Sequence, residues 1–315
     1  MTITRRKFLK NVSASALAAP FVSSAISTCT PQQIDDQLEV HLFSKHLQFL
    51  SIKDAAQMAK EMGFSGLDLT VRPKGHILPE NVKSELPKAI ADIKSAGSTC
   101  KMMTTAISDV AHPLDIDVIK TASREGIQFY RCDWFKYRED MSLEASLDYY
   151  QEKVRELGEV NKAHYIIGCY QNHSGIKVGA SVWEVKRILE TVDSKFFGAQ
   201  YDIRHAVAEG GRSWTNGVKL LKDQMKTIVL KDFKWGKVDG KWKIVNVPIG
   251  EGMVDFNAYF KLLKKLEVKP PVSLHLEYPL GGAEKGKSEI TVDRTVVYDA
   301  MKSDLALVQK LWKDA

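Results

Sequence analysis

Five of the eight histidines in this 315-residue chain fall in polar groupings at the ends of short apolar runs or, for His275, inside the last of them. The groupings are Lys45-His46, Arg72-Pro73-Lys74-Gly75-His76, Gln171-Asn172-His173-Ser174-Gly175, Asp202-Ile203-Arg204-His205, Lys231-Asp232 and His275-Leu276-Glu277-Tyr278. These side chains suit proton transfer next to fixed positive charge. Imidazole titrates near neutral pH, which makes His173 and His205 candidate relays. A carboxylate inside an apolar run needs a partner, so Glu277 is expected to be functional. Arg72, Lys74 and Arg204 suit an anionic substituent of a ligand, or, for Arg204, a neighbouring carboxylate. Lys231-Asp232 has a plainer alternative, an ion pair that closes a strand end. Each histidine alone is weak evidence. Their return at the ends of successive runs carries the reading.

The elements that must hold these residues follow from the apolar pattern. Strand-like runs cover 38–44, 66–71, 99–105, 128–132, 165–170, 197–202, 227–231 and 272–277. Most are nearly continuously apolar, as parallel strands buried on both faces require. Amphipathic segments at 52–62, 82–95, 115–124, 143–160, 183–191, 256–266 and 291–312 alternate with them. Met62-Gly63 and Ala96-Gly97 end two of these helices just before the next strand. Eight such units in sequence predict a single-domain (β/α)8 barrel over 37–315, whose site lies at the C-terminal strand ends. No glycine-rich phosphate fingerprint follows the first strand, which argues against a dinucleotide-binding sheet. Lys234 to Val245 breaks the rhythm, and Val238-Asp239-Gly240-Lys241 reads as a hairpin turn. The hairpin leaves the seventh strand at the mouth, as a lid or substrate wall. Its Trp235 and Trp242 either stack on a ligand ring or pack the hairpin, packing being the plainer expectation.

Charge narrows the partners. The chain carries a formal net charge of +6, and Arg5, Arg6, Lys7 and Lys10 precede its first acidic residue, Asp35. Without those four the balance falls to +2, and no Lys/Arg run remains in 37–315. Nucleic acid is therefore not an expected partner. The basic start followed by the uncharged, small-residue stretch 11–26 has the form of a cleavable export signal, and the paired arginines resemble a twin-arginine signal. The expectation is a signal and tether over 1–36, and export to the periplasm. Ile26-Ser27-Thr28-Cys29 resembles a lipoprotein box, with Cys29 as a lipid anchor, although Thr28 departs from the usual small residue. The stretch is too weakly apolar for a transmembrane span. Cys100, Cys132 and Cys169 are too scattered for a disulfide framework and read as buried small hydrophobes. The sequence leaves oligomerisation open.

Leu69-Thr70-Val71-Arg72-Pro73, Asn172-His173-Ser174-Gly175, Asp202-Ile203-Arg204-His205, Val229-Leu230-Lys231-Asp232 and His275-Leu276-Glu277-Tyr278 together resemble the xylose-isomerase-like barrels. That family is often labelled sugar phosphate isomerase/epimerase. The likeness implies a divalent metal at the mouth, held by a Glu, an Asp, a His and a Glu. Here Gln171 stands for the first Glu and Val229 for the usual His. Gln171, Asp202, His205 and Glu277 are the set that would remain, suited to Mn²⁺, Mg²⁺ or Co²⁺. The implied reaction is proton removal beside a carbonyl. Glu277 is then the base, Lys231 the cation on the enediolate oxygen, and His173 and His205 the relays. His46, Arg72, His76, Asn172, Arg204, Trp235 and His275 are taken as substrate contacts. The first expectation is an isomerase or epimerase of a free or oxidised sugar, since export disfavours phosphosugars. A lyase or hydratase working on a 3-keto sugar or glycoside shares the same first step. A sugar-binding barrel without catalysis is the third reading, motivated by the altered ligand positions.

Overall fold

The computed structural model describes residues 37–315. Its strands, in chain order, are β1 (Val40–Phe43), β2 (Gly66–Val71), β3 (Met102–Thr105), β4 (Phe129–Arg131), β5 (Ile167–Gln171), β6 (Phe197–Asp202), β7 (Met225–Leu230), β8 (Asp232–Val238), β9 (Lys241–Val247) and β10 (Val272–Leu274). Eight of them are parallel and close on themselves in the order β1-β10-β7-β6-β5-β4-β3-β2. This is the expected (β/α)8 barrel. The export signal, the tether and Cys29 lie outside the described residues.

The helices that wrap the barrel are α1 (Ile52–Glu61), α2 (Val82–Ser95), α3 (Pro113–Arg124), α4 (Leu143–His164), α5 (Val182–Ile188), α6 (Ile203–Gly210), α7 (Trp214–Leu221), α8 (Phe256–Lys265) and α9 (Arg294–Asp314). Local chemistry sets several boundaries. Ser51, Ser142 and Asp293 each accept a main-chain N–H from the first turn of the helix that follows. Such a cap is worth about 1 kcal/mol. Tyr165, expected to open the fifth strand, instead takes the left-handed conformation (φ 53°) that closes α4, so β5 starts at Ile167. The eighth barrel strand also stops early, at Leu274. The His275 N–H still bonds to the Leu230 carbonyl of β7 at 3.0 Å, but the N–H of Leu276 bonds to His46 Nε2 at 3.0 Å, and Glu277 beyond it lines the mouth. The sequence reading named no helix between the sixth and seventh strands. The structure puts α6 and α7 there, split at Gly210-Gly211, where Gly211 has φ 48°.

β8 and β9 form the expected antiparallel hairpin. Its turn residues Asp239 and Gly240 both have positive φ, 53° and 76°, the geometry that favours Asp-Gly in a two-residue turn. All three described cysteines are free. No helix among the described residues is long and apolar enough to cross a membrane.

Candidate active site

Strand ends β6, β7 and β10 bring one ammonium between two carboxylates. Lys231, just beyond β7, places Nζ 3.2 Å from Asp202 Oδ2 and 3.5 Å from Glu277 Oε2. Asp202 is fully buried at the end of β6. It also caps α6 by accepting the His205 N–H at 3.1 Å, and takes a hydrogen bond from Gln171 Nε2 at 2.8 Å. Glu277 sits at the cavity wall with Lys45 Nζ 3.5 Å from its other oxygen. The two ammoniums outweigh its desolvation and hold its carboxyl well below the usual range. Glu277 is therefore an ionised base at neutral pH.

A cavity of about 110 Å³ opens at this cluster, lined by Glu277, Lys231, His173 and His275, with Arg72 and Arg131 among the side chains opposite. Hydrogen bonding fixes which nitrogen of each imidazole carries the proton. His173 Nδ1 lies 2.9 Å from the Ser174 carbonyl, which can only accept, so Nδ1 donates and Nε2 keeps its lone pair. Burial, with Lys231 nearby, pushes His173 down to about 4, so it is neutral at pH 7. His275 is tied to the barrel interior instead. Buried Asp68 accepts from Ser273 Oγ at 2.6 Å, and Ser273 Oγ accepts from His275 Nε2 at 3.1 Å. That leaves His275 Nδ1 as a bare acceptor, buried, without a hydrogen bond among the described residues and 3.8 Å from Glu277. Burial pushes His275 down to about 3. Its ring stacks on Phe43 at 4.1 Å, which holds that acceptor in place.

Several residues expected at the site do structural work. His46 is buried with Nδ1 on the Ala283 carbonyl at 3.3 Å and Nε2 on the Leu276 N–H, so neither nitrogen is left for a substrate. The Asn172 side-chain amide pairs with both main-chain groups of Asp202, at 2.8 and 2.9 Å, and joins β5 to β6. Arg204 makes no ion pair with a carboxylate among the described residues. It donates to Ser174 Oγ, to His205 Nδ1 at 2.8 Å and to Asn246 Oδ1 at 2.6 Å. Asn246 in turn donates to the Glu277 carbonyl at 3.2 Å, so the hairpin is clasped to the mouth from β9. His76 Nδ1 meets Thr70 and Ser44 hydroxyls beneath the β2 loop, outside the cavity. Trp235 is 44% exposed and packs edge-on to Phe233, also outside the cavity lining. Tyr278 turns away to Asp304 at 3.0 Å. The Asp232 carboxylate accepts four main-chain N–H groups, from Phe233, Gly250, Gly252 and Val254, so it shapes the loop before α8 and leaves Lys231 to others.

The chain matches a family described as xylose isomerase-like TIM barrel over residues 56–291. This protein belongs to the xylose isomerase-like TIM barrel family. No curated protein matches it by sequence. Similar solved structures include D-psicose 3-epimerase with D-tagatose from Clostridium cellulolyticum H10, at 12% identity and TM-score 0.65, covering 87% of this chain and 98% of that one. A xylose isomerase-like TIM barrel protein from Mycobacterium smegmatis in complex with magnesium aligns at 11% identity and TM-score 0.64, with the same coverage. The probable 3-DHS dehydratase from Bacillus anthracis aligns at 13% identity and TM-score 0.62, covering 86% and 98%. At these identities the likeness is one of fold.

Within this family a magnesium-bound relative makes the metal question pointed, and the residues themselves address it. As placed, Gln171, Asp202, His205 and Glu277 do not make a ligand set. The Lys231 ammonium stands between the two carboxylates. The nitrogen, not the oxygen, of the Gln171 amide faces Asp202. His205 Nδ1 accepts from the Ser174 N–H at 3.1 Å and from Arg204 Nη1, two groups that can only donate. Its proton must therefore sit on Nε2, which faces Asp202 Oδ2 at 3.5 Å and has no lone pair for a cation. Burial and the surrounding positive charge keep this ring neutral. No group of three or more His, Cys, Asp or Glu among the described residues is gathered to hold a metal.

Proposed function

We propose that this barrel mouth removes and returns a proton beside the carbonyl of a sugar, as an isomerase or epimerase. The observation that carries the reading is the fixed Lys231 ammonium facing a cavity lined by an ionised Glu277 and a lone-pair-bearing His173. Glu277 takes the proton from the carbon next to the carbonyl. The electron pair of the broken C–H bond moves to the carbonyl oxygen, giving an enediolate beside Lys231. Asp202, itself held by Gln171, fixes that ammonium before the reaction, so little reorganisation is needed as charge develops. The His275 ring, stacked on Phe43, forms the wall against which the substrate lies.

Where the proton returns decides the product. Glu277 returning it to the former carbonyl carbon, while the proton of the neighbouring hydroxyl passes to the enediolate oxygen, shifts the carbonyl and isomerises the sugar. A proton delivered from solvent to the opposite face inverts the original centre, since His173 Nε2 carries none to give at neutral pH. We place this reaction in the periplasm on the strength of the arginine-paired leader. Fractionation of cells that express the Arg5→Lys/Arg6→Lys precursor checks that route, and unchanged export would refute it.

The reaction is tested by incubating the mature chain with keto sugars in deuterated water and following the carbon-bound hydrogen by NMR. Exchange dependent on Glu277 is expected. A panel of free, 3-keto and glycosidic sugars that bind without exchange would leave a sugar-binding barrel as the better account. An unsaturated product would reassign the chain to the lyases, which share the first step.

A further inference from the structure

The lysines that flank Glu277 have a carboxylate between them; the guanidiniums opposite have none. Arg72, beyond β2, lies over the Phe43 ring at 5.5 Å, and Arg131, at the end of β4, lies over Trp134 at 4.2 Å. Arg131 is only 3% exposed, and its donated bonds go to the main-chain carbonyls of Cys132 at 2.9 Å and Thr105 at 3.4 Å. Those acceptors are neutral. Neither guanidinium makes an ion pair among the described residues. Burial and the like charge of Arg72 push Arg131 down to about 10, so it is still a cation at neutral pH. Asp68 and Asp133 act on both guanidiniums from a distance, but neither is paired with them. A buried cation without a paired counter-charge is unfavourable unless something else supplies it.

The surrounding space shows where that charge would sit. A second cavity of about 350 Å³ adjoins the first, and Lys45, Arg72 and Arg131 line both. The inner cavity sets four cations against Glu277; the outer one adds Lys74 and Lys285 against Asp133. Positive charge thus peaks at the junction. Phe43 and Trp134 fix the planes of the two guanidiniums, whose N–H edges match the oxygens of a carboxylate or phosphate.

We infer that the junction is an anion subsite, and that the substrate is a sugar with a fixed anionic group, a carboxylate or a phosphate. Arg72 and Arg131 grip that group while the carbonyl lies against Lys231. The position of the carbonyl rests on the proposed reaction; binding of the anion does not need turnover.

Calorimetry on the mature chain with D-glucuronate, D-glucose 6-phosphate and D-glucose separates the cases. At least one anionic sugar is expected to bind tenfold or more tightly than glucose, with a preference that shrinks as sodium chloride is added. Which anion is preferred identifies the source of the charge. Arg72→Met, at a partly exposed position, should lower the preference by at least tenfold with an unchanged circular dichroism spectrum. Arg131→Lys keeps the charge but loses the planar fork, and should weaken binding less than Arg72→Met. Equal binding of the three sugars, no binding of either anion, or an Arg72→Met protein that keeps the preference would overturn the subsite. Loss of solvent exchange in a protein that still prefers the anions would sink the reaction and spare the subsite.

Discussion

The two halves of the barrel mouth handle charge differently. On the β6, β7 and β10 side, Asp202, Lys231 and Glu277 answer one another within 3.5 Å. On the β2 to β4 side, Arg72 and Arg131 rest on aromatic rings and carbonyls with no ion pair among the described residues. The first half is set in place before any ligand arrives; the second is complementary to something the ligand brings. A polar residue's type does not distinguish these roles, because the same arginine chemistry serves Arg131 at the cavity and Arg204 in a clasp. What separates them is whether a partner is already supplied.

The strongest way to break the self-answering half is to remove its charges singly. Glu277→Gln keeps shape and leaves Lys45 and Lys231 without their shared carboxylate, so solvent exchange should fall by at least three orders of magnitude. Lys231→Met removes the oxyanion's partner and should cost roughly 100- to 1,000-fold, the usual loss for one such donor. Asp202→Asn leaves the ammonium facing the cavity but breaks a buried pair. Its expected signature is a drop of about 3 kcal/mol in unfolding free energy by urea titration, with a smaller loss of rate. Full exchange in all three variants would mean that the chemistry lies elsewhere.

Much of this was legible in the sequence, and the limits have physical causes. The eight apolar runs and the Asp-Gly hairpin announced the barrel because parallel strands and two-residue turns leave strong local signals. Lys231 and Glu277 stood out as charges at the ends of buried strands. Arg131 was overlooked because it lies inside the run 128–132, where only sheet register shows which side chains turn toward the cavity. His46 looked available because a histidine's value depends on its two nitrogens, and its partners Ala283 and Leu276 lie more than 200 residues away. Phe43 and Trp134 carried no motif, and Lys45 stood out only beside His46; the closure of the ring assembles them. The expected metal set is not gathered among the described residues for a similar reason. Spacing put His205 near Asp202, but the tautomer is decided by Ser174 and Arg204.

The pH profile sharpens the comparison with a milder effect. His173 is held down to about 4 and Glu277 lower than its usual range, so both proton acceptors stay in their basic forms until strongly acidic pH. The sign follows directly: a base with a depressed pKa is lost only as pH falls through that lowered value. Exchange should be flat from neutrality down to about pH 5 and decline near pH 4, measured while the circular dichroism spectrum is still native. A decline centred near 6.5 would indicate that the imidazole that matters is solvated and not His173.

The smallest effect expected on the wild type comes from chelation, and there the absence of change is informative. If the Lys231 ammonium already occupies the space between Asp202 and Glu277, a chelator should alter exchange less than twofold. Added Mn²⁺, Mg²⁺ or Co²⁺ should do no more, because a dication and an ammonium repel at this distance. Lys231→Ala turns the argument round. It empties the space between two carboxylates and frees the Gln171 amide to rotate its oxygen inward, leaving a hard oxygen set of the kind that Mn²⁺ and Mg²⁺ prefer. Calorimetric titration with MnCl₂ should then show binding by Lys231→Ala and none by wild type. Asp202→Asn added to Lys231→Ala should abolish the new binding, which ties it to this place in the barrel. A wild-type chain purified with one tightly held metal per molecule would overturn the assignment of Lys231 as the resident cation.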